Sequence, residues 1–173
     1  MIEPTNIIER PRLWLAGFSF FGDPFAFSDG WSMDNEIGRL WQRFMAFYES
    51  HDAHILGMTG ERAMFEVHVE HPGTERKGLF EVFVGVPVAG LSDLPVELVV
   101  KALPATQYAV FTLRGKTIAS DWGREIYQMW LPQSGYEIAY PFGFQYYDHR
   151  FKGLDRLEES VLDVYVPVAA KTE

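Results

Sequence analysis

The sequence predicts an α+β protein built from two strand–helix–strand–strand modules in pseudo-twofold relation, with antiparallel sheet and helices on one side of it. Three observations predict it. The stretch Leu79-Phe80-Glu81-Val82-Phe83-Val84-Gly85-Val86 returns near the end of the chain as Leu162-Asp163-Val164-Tyr165-Val166-Pro167-Val168, with acid, valine, aromatic and valine in one order. Each half also carries one stretch with apolar residues at helical spacing. Local pairs then recur in sequence: Phe18-Ser19-Phe20-Phe21-Gly22 answers Phe111-Thr112-Leu113-Arg114-Gly115, Gly38-Arg39 answers Gly123-Arg124, Phe65-Glu66 answers Phe144-Gln145, and Phe83 answers Tyr165. The offsets are unequal, which fits a degenerate duplication with altered loops and not a short repeat array. The half-modules span about 10–88 and 97–168 of a single domain.

In chain order, Arg12 to Phe21 reads as the first strand, closed by Gly22-Asp23-Pro24. A loop follows whose Phe25, Phe27 and Trp31 are too apolar to lie wholly in water. A helix starts near Ser32 or Asp34, either of which suits a cap. Its stripe is Ile37, Leu40, Trp41, Phe44 and Phe47 or Tyr48, and it ends near His51. Met64 to Glu70 alternates, Phe65, Val67 and Val69 against Glu66, His68 and Glu70. With the turn Pro72-Gly73 and the strand 79–88 it forms a hairpin. Residues 89–97 are the internal boundary. Glu97 to Arg114 carries strand signals, strongest at 108–113, and Gly115 stops it. Ser120 or Asp121 caps a second helix with the stripe Trp122, Ile126, Met129 and Trp130, which Pro132 and Gly135 end. A strand around Phe144-Gln145-Tyr146-Tyr147, a charged loop (149–160) and the strand 161–168 complete the chain.

Composition limits the function. The 173 residues are 47% hydrophobic and 16% aromatic, with 14 Phe, 8 Tyr and 5 Trp, more rings than a small core commonly uses. Some of them are expected to line a cavity. The net charge of −9 and the scattered Lys and Arg argue against nucleic acid, which needs a basic patch. The absence of Cys excludes disulfides and thiolate chemistry. No apolar run is long enough to cross a bilayer, and Met1-Ile2-Glu3-Pro4 has no signal-peptide pattern, so the cytoplasm is the expected location.

Strand alternation puts Val82, Val84 and Val86 on one face and Glu81 and Phe83 on the other; Val164, Val166 and Val168 likewise oppose Asp163 and Tyr165. If the aliphatic faces pack on the helices, Glu66, Glu81, Gln145, Tyr147, Asp163 and Tyr165 face away from them, toward a ligand cleft shared by the two halves. No Lys or Arg is interleaved at those strand positions. A carboxylate in an apolar cleft without a basic partner is costly, and a cationic ligand would supply the charge while rings add about 0.5–2 kcal/mol per good cation–π contact. A plain wet sheet face is the alternative reading of the same alternation.

These residues carry a resemblance. Tyr108-Ala109-Val110-Phe111 with Gly115 after it, Trp130-Leu131-Pro132-Gln133-Ser134-Gly135-Tyr136, Phe144-Gln145-Tyr146-Tyr147-Asp148 and Tyr165-Val166-Pro167-Val168 resemble the GyrI-like, or bacterial transcription activator (AraC-type) effector-binding, family, and Phe83-Val84-Gly85-Val86 fits its first half. The resemblance covers residues 79–168 closely and 10–70 by architecture. It implies tandem strand–helix–strand–strand (SHS2) modules with a small-molecule cleft, used in ligand sensing for cationic, lipophilic compounds. Some relatives of that kind inhibit gyrase and some hydrolyse strained cyclopropane-bearing compounds. The family glutamate in the strand before the aspartate falls on Gln145 here, and Glu66, read as its partner in the first half, is expected to supply the charge instead. Too few residues precede the first strand for a helix-turn-helix, so a stand-alone unit, or one acting through a regulator or other protein partner, is expected.

Other motifs are weaker. His51-x-x-His54 and His68-x-x-His71 lack the converging ligands of a metal site, Ser134-Gly135 lacks the strand-to-helix elbow of a serine hydrolase, and no glycine-rich phosphate loop occurs. No metal or cofactor is expected. The expected function is small-molecule binding, for a lipophilic cation or neutral aromatic compound, with Glu66 and Glu81 as counter-charges and Gln145 as hydrogen-bonding group. Tyr147, Tyr165, Phe83 and Phe111 would stack, and Trp31 would form a lid or wall. The alternatives are a hydrolase with Glu66 or Glu81 as base and a tyrosine as acid, and a protein-interaction module of the gyrase-inhibitor kind.

Overall fold

The computed structural model describes residues 2–26, 34–56, 62–73 and 78–172, without the side chains of 52–56. Trp31, Phe27 and the cap expected at Ser32 lie outside the described residues. The protein is α+β, and its strands and helices fall into two compact units, Arg12–Leu103 and Pro104–Glu173 together with Met1–Pro11.

In the 12–103 unit, strands β2 (Leu13–Gly22), β3 (Met64–Val69), β4 (Phe80–Pro87) and β5 (Val99–Leu103) form an antiparallel sheet in the order β3–β4–β2–β5; β1 (Asn6–Arg10) belongs to the other unit. Helix α1 (Glu36–Leu56) lies on one face of this sheet. Its cap is Asn35, whose side-chain oxygen accepts from the Gly38 N–H at 2.8 Å, so the start falls one residue after the expected Asp34. It also runs past His51. Leu40 and Phe44 are buried against Val82, Val84 and Val86, with Phe18, Phe20, Trp41 and Met64 around them. Deleting a ring as buried as that of Phe44 costs about 3–5 kcal/mol in comparable cores.

In the 104–173 unit the order is β1–β6–β9–β8, with β6 (Thr106–Arg114), β8 (Phe142–Tyr147) and β9 (Val161–Ala170), all antiparallel. The short β7 (Tyr136–Ile138) also pairs with β9. The core packs Phe111, Leu113, Ile126, Trp130, Val164 and Val166 together. Its helix, α2 (residues 122–133), is capped by Asp121, which accepts from the Arg124 N–H at 3.3 Å. The middle of α2, Glu125–Trp130, is a π-helix, closed by the Leu131 N–H bonding back to the Ile126 carbonyl. Pro132 just beyond has no N–H for the Gln128 carbonyl, and the wider turn accommodates that loss. The expected stripe changes accordingly: Ile126 and Trp130 are buried, whereas Met129 points outward at 39% exposure.

Two strands depart from the expected modules. The strand signals of 97–114 divide at Pro104: β5 pairs with β2, and only β6 joins β9. Residues 6–10, given no strand in the sequence reading, form β1 along β6, with Asn6 opposite Val110 and Arg10 opposite Thr106. Both are five-residue edge strands, too short for alternation to mark them.

Gly17 and Gly85 face each other across β2 and β4. A Cβ on Gly17 would overlap the Val84 carbonyl oxygen, and one on Gly85 would overlap the Ala16 carbonyl oxygen and the Phe83 ring. The backbone atoms cannot yield cheaply. Gly85→Ala is therefore expected to lower stability by about 1–3 kcal/mol, as overpacked cores do, measured by urea unfolding; Gly90→Ala, where a Cβ meets open space, is expected to stay within about 0.5 kcal/mol of the parent.

Candidate functional site

The register of the strands sorts the expected site residues onto two faces. In the 12–103 unit, Glu66 lies opposite Val84, so it shares the face covered by α1. There it accepts from the Trp41 indole N–H at 2.5 Å, and His68 Nε2 sits 2.7 Å from its other oxygen. The carboxylate needs a donor in return, which places the imidazole proton on Nε2. Glu66 is buried. Phe83 lies opposite Val67, on the face turned away from α1, together with Phe65 and Glu81.

This corrects the expectation that Glu66 and Glu81 share a face. The reason is burial. Phe65 and Val67 are as fully buried as Val82 and Val84, so both faces of the sheet exclude water and alternation alone does not say which one meets the helix. The polar members of β3, Glu66 and His68, both turn toward α1, where Glu66 satisfies the Trp41 N–H.

Glu81 is not without a basic partner either. Lys101, on β5 across β2, donates to it, Ser19 donates at 2.8 Å, and His71 Nε2 lies 3.3 Å away. Lys101 Nζ also stands 6.0 Å from the centroid of the Phe83 ring. Burial alone would raise the Glu81 pKa, but the hydrogen bonds from Lys101 and Ser19, the Lys101 charge and the His71 contact outweigh it and hold the carboxyl below its ordinary range. A carboxylate of that kind is a weak general base near neutral pH. His68 and His71 thus serve different carboxylates, and among the described residues no three His, Asp or Glu side chains converge as metal ligands.

The 104–173 unit repeats the inversion. Gln145 lies opposite Val164, on the helix-covered face, and its side-chain oxygen accepts from the Tyr147 hydroxyl at 2.8 Å. Tyr147 packs on the core side, edge-on to Phe151 at 4.9 Å. Phe111 is wholly buried and meets Trp130 edge-to-face at 5.0 Å. Phe111, Gln145 and Tyr147 therefore do not share the face of Tyr165. Nor is Glu66 the register counterpart of Gln145: Phe83 pairs with Val67 and Tyr165 with Phe144, which puts His68 at the matching place.

The face of Tyr165 holds a different set. Tyr165 stacks on Phe144 at 4.6 Å and 11°, and contacts Tyr146 at 5.8 Å and Tyr108 at 5.9 Å. Tyr108 is also edge-on to Phe144 at 5.3 Å and lies 6.4 Å from Phe142. The guanidinium of Arg10 sits 5.3 Å from the Tyr165 centroid and 5.7 Å from that of Tyr146. Farther along the same face, Asp163 accepts from Thr112 at 2.7 Å and from Arg150 at 2.5 Å. The Tyr108 hydroxyl is the one buried side-chain polar atom without a hydrogen-bond partner among the described residues. Burial pushes its pKa up to about 12, with the Arg10 charge pulling the other way. Sequence reasoning missed Tyr108, Phe142, Phe144, Tyr146 and Arg10. The alternation Phe142-Gly143-Phe144-Gln145-Tyr146 carries the signal, three rings on the face opposite Gln145.

Comparison with known proteins settles the family. A model of the integron-associated effector-binding proteins, Cass2, matches residues 6–168. The chain belongs to this family. It is a GyrI-like effector-binding protein, in agreement with the resemblance read from residues 79–168. It is similar to the transcriptional regulator BrlR of Pseudomonas aeruginosa, with 32% identity over 169 residues, 95% of this chain and 55% of BrlR. The chain thus spans about half the length of that regulator. Among solved structures, SAV2435 bound to tetraphenylphosphonium aligns with a TM-score of 0.67 at 16% identity, over 95% of this chain and 93% of SAV2435. The integron cassette protein VCH_CASS2 of Vibrio cholerae aligns at 0.62 and 17% identity, over 97% of each chain. The C-terminal domain of EcmrR aligns at 0.60 and 14%, over 96% of this chain and 97% of that one. These structural likenesses establish a common fold. Among the described residues no helix is long and apolar enough to cross a membrane.

The Glu81 ion pair gives a pH-dependent prediction. Because the folded pKa of Glu81 is lowered, its stabilising contribution is present above the ordinary carboxylate pKa and is lost as pH falls through the folded value. Lys101→Met is expected to cost about 1–2 kcal/mol at pH 7. The gap to the parent should narrow below about pH 4 in urea unfolding at a series of pH values.

Proposed function

We propose that this chain is a small-molecule sensing module that acts in the cytoplasm and takes lipophilic aromatic compounds, cationic or neutral, on behalf of a transcription-regulating system. The observation that carries the reading is the ring set of Tyr108, Phe142, Phe144, Tyr146 and Tyr165. It stands on the sheet face opposite the valines that pack with Ile126 and Trp130. The unit already has a core on its helix side, so a second aromatic cluster is surplus to what α2 requires. Aromatic faces and edges bind flat apolar ligands with little loss of side-chain entropy and accept cations on their π-faces.

Membership of an effector-binding family supports this reading, as does the likeness to BrlR, a transcriptional regulator, and to SAV2435, whose structure is bound to tetraphenylphosphonium. Of the stacking residues expected from the sequence, Tyr165 belongs to this ring set, whereas Phe83 lies in the other unit. Glu66 and Gln145 lie on the helix-covered faces and Glu81 is met by Lys101 and Ser19, so none of the three is given a ligand contact in this reading.

The test is thermal denaturation with tetraphenylphosphonium and with triphenylphosphine oxide, a cation and a neutral compound of similar bulk. At least one is expected to raise the melting temperature saturably, since a ligand at about 100 times its Kd adds roughly 2.7 kcal/mol to the native state. Tyr165→Leu is expected to weaken binding about fivefold, one aromatic contact's worth; because Tyr165 is buried, the unliganded melting temperature falls as well, and the ligand-induced rise is read against that lower value. A flat response to both compounds would overturn the proposal.

A further inference from the structure

The second ring set has a feature that a surface made only for stacking would not need. The Tyr108 hydroxyl is sealed inside it with no partner, at 0% exposure for the whole residue. A phenol buried in that way forfeits a hydrogen bond, and natural proteins rarely leave one so. Like any phenol, Tyr108 is neutral near pH 7 and can donate a hydrogen bond, and burial moves its pKa further up, to about 12. The nearby charge is positive: Arg10 lies over the Tyr165 and Tyr146 rings and acts on Tyr108 through its field. Arg10 thus already occupies the π-faces on which a cationic ligand would sit.

We infer that this ring set binds an aromatic ligand bearing a strongly accepting oxygen, neutral or anionic, which takes a hydrogen bond from Tyr108 and faces the Arg10 charge, and that it discriminates against cations. The proposal rests on the sensing function above and names the chemical class that this unit selects. Entry requires a ring to give way, because Tyr108 is sealed. The ring positioned to do so is Phe142, which is half-buried at the start of β8 and stacks at 6.0 Å on Tyr140, itself 39% exposed. A ligand ring in place of Phe142 would keep the tilted contact, 6.4 Å between centroids, that Phe142 now makes with Tyr108. The oxygen would reach the hydroxyl, which donates, and the guanidinium, which attracts it.

The decisive comparison uses the two probes already named, because they share size and rings and differ in the feature at issue. Triphenylphosphine oxide carries a polarised P=O acceptor; tetraphenylphosphonium carries a positive charge and no acceptor. By isothermal titration the oxide is expected to bind at least roughly tenfold more tightly, the effect of a hydrogen bond to a strongly polarised group. Tyr108→Phe is expected to abolish most of that preference while leaving the melting temperature of the free protein unchanged or raised, since it removes an unsatisfied buried group and keeps the ring. Arg10→Leu is expected to weaken the oxide and strengthen the phosphonium. Phosphonium binding as tight as or tighter than the oxide, or an oxide preference that survives Tyr108→Phe, overturns the inference while the sensing function stands. If neither probe binds, the sensing function and this inference fail together.

Discussion

The central strands of both units bury both of their faces, and that constraint governs the rest of the structure. Every residue from Val82 to Pro87 in β4 and from Leu162 to Val168 in β9 is buried. A polar side chain in such a strand cannot turn to water and must find a partner inside the protein. Glu81 and Asp163 do so by the same means, a hydroxyl from a neighbouring strand and a cation from farther away: Ser19 and Lys101 for one, Thr112 and Arg150 for the other. The acids look like ligand counter-charges when the strands are read alone, yet the chain supplies the charges that meet them. The helix-covered faces obey the same constraint, with Glu66 satisfied by Trp41 and His68 and Gln145 by Tyr147.

Much of the fold was legible because it rests on periodicity. The valine rows of β4 and β9, the stripe of α1 from Ile37 to Tyr48 and the cap at Asp121 all follow from side-chain spacing and local hydrogen bonding, and they stand close to where the sequence puts them. What was illegible has physical causes. The short edge strands β1 and β5 have no period to detect. The outward turn of Met129 depends on a π-helical stretch that a 3.6-residue reading does not contain.

The site was legible only in part. Alternation correctly separates Phe83 from Val84 and Tyr165 from Val164. It does not reveal which alternate of β3 or β8 joins them, because that depends on register, and a shift by one residue exchanges the faces. Glu66, Gln145 and Tyr147 went to the helix side for this reason, while Phe144 and Tyr146 took their place beside Tyr165. Arg10 was beyond reach: its position over Tyr146 and Tyr165 follows from the pairing of residues 6–10 with a strand about a hundred positions away.

The proposed sensing role makes the rings around Tyr165 the ligand-binding set and those around Trp130 a core. Aromatic-selective carbon-13 NMR during titration with a lipophilic aromatic compound addresses this directly. Progressive shifts are expected at Tyr165, Tyr146 and Phe144, with Phe111 and Phe44 left in place. Shifts centred on Phe111 and Trp130, or a uniform loss of ring signals without any change at Tyr165, would contradict it.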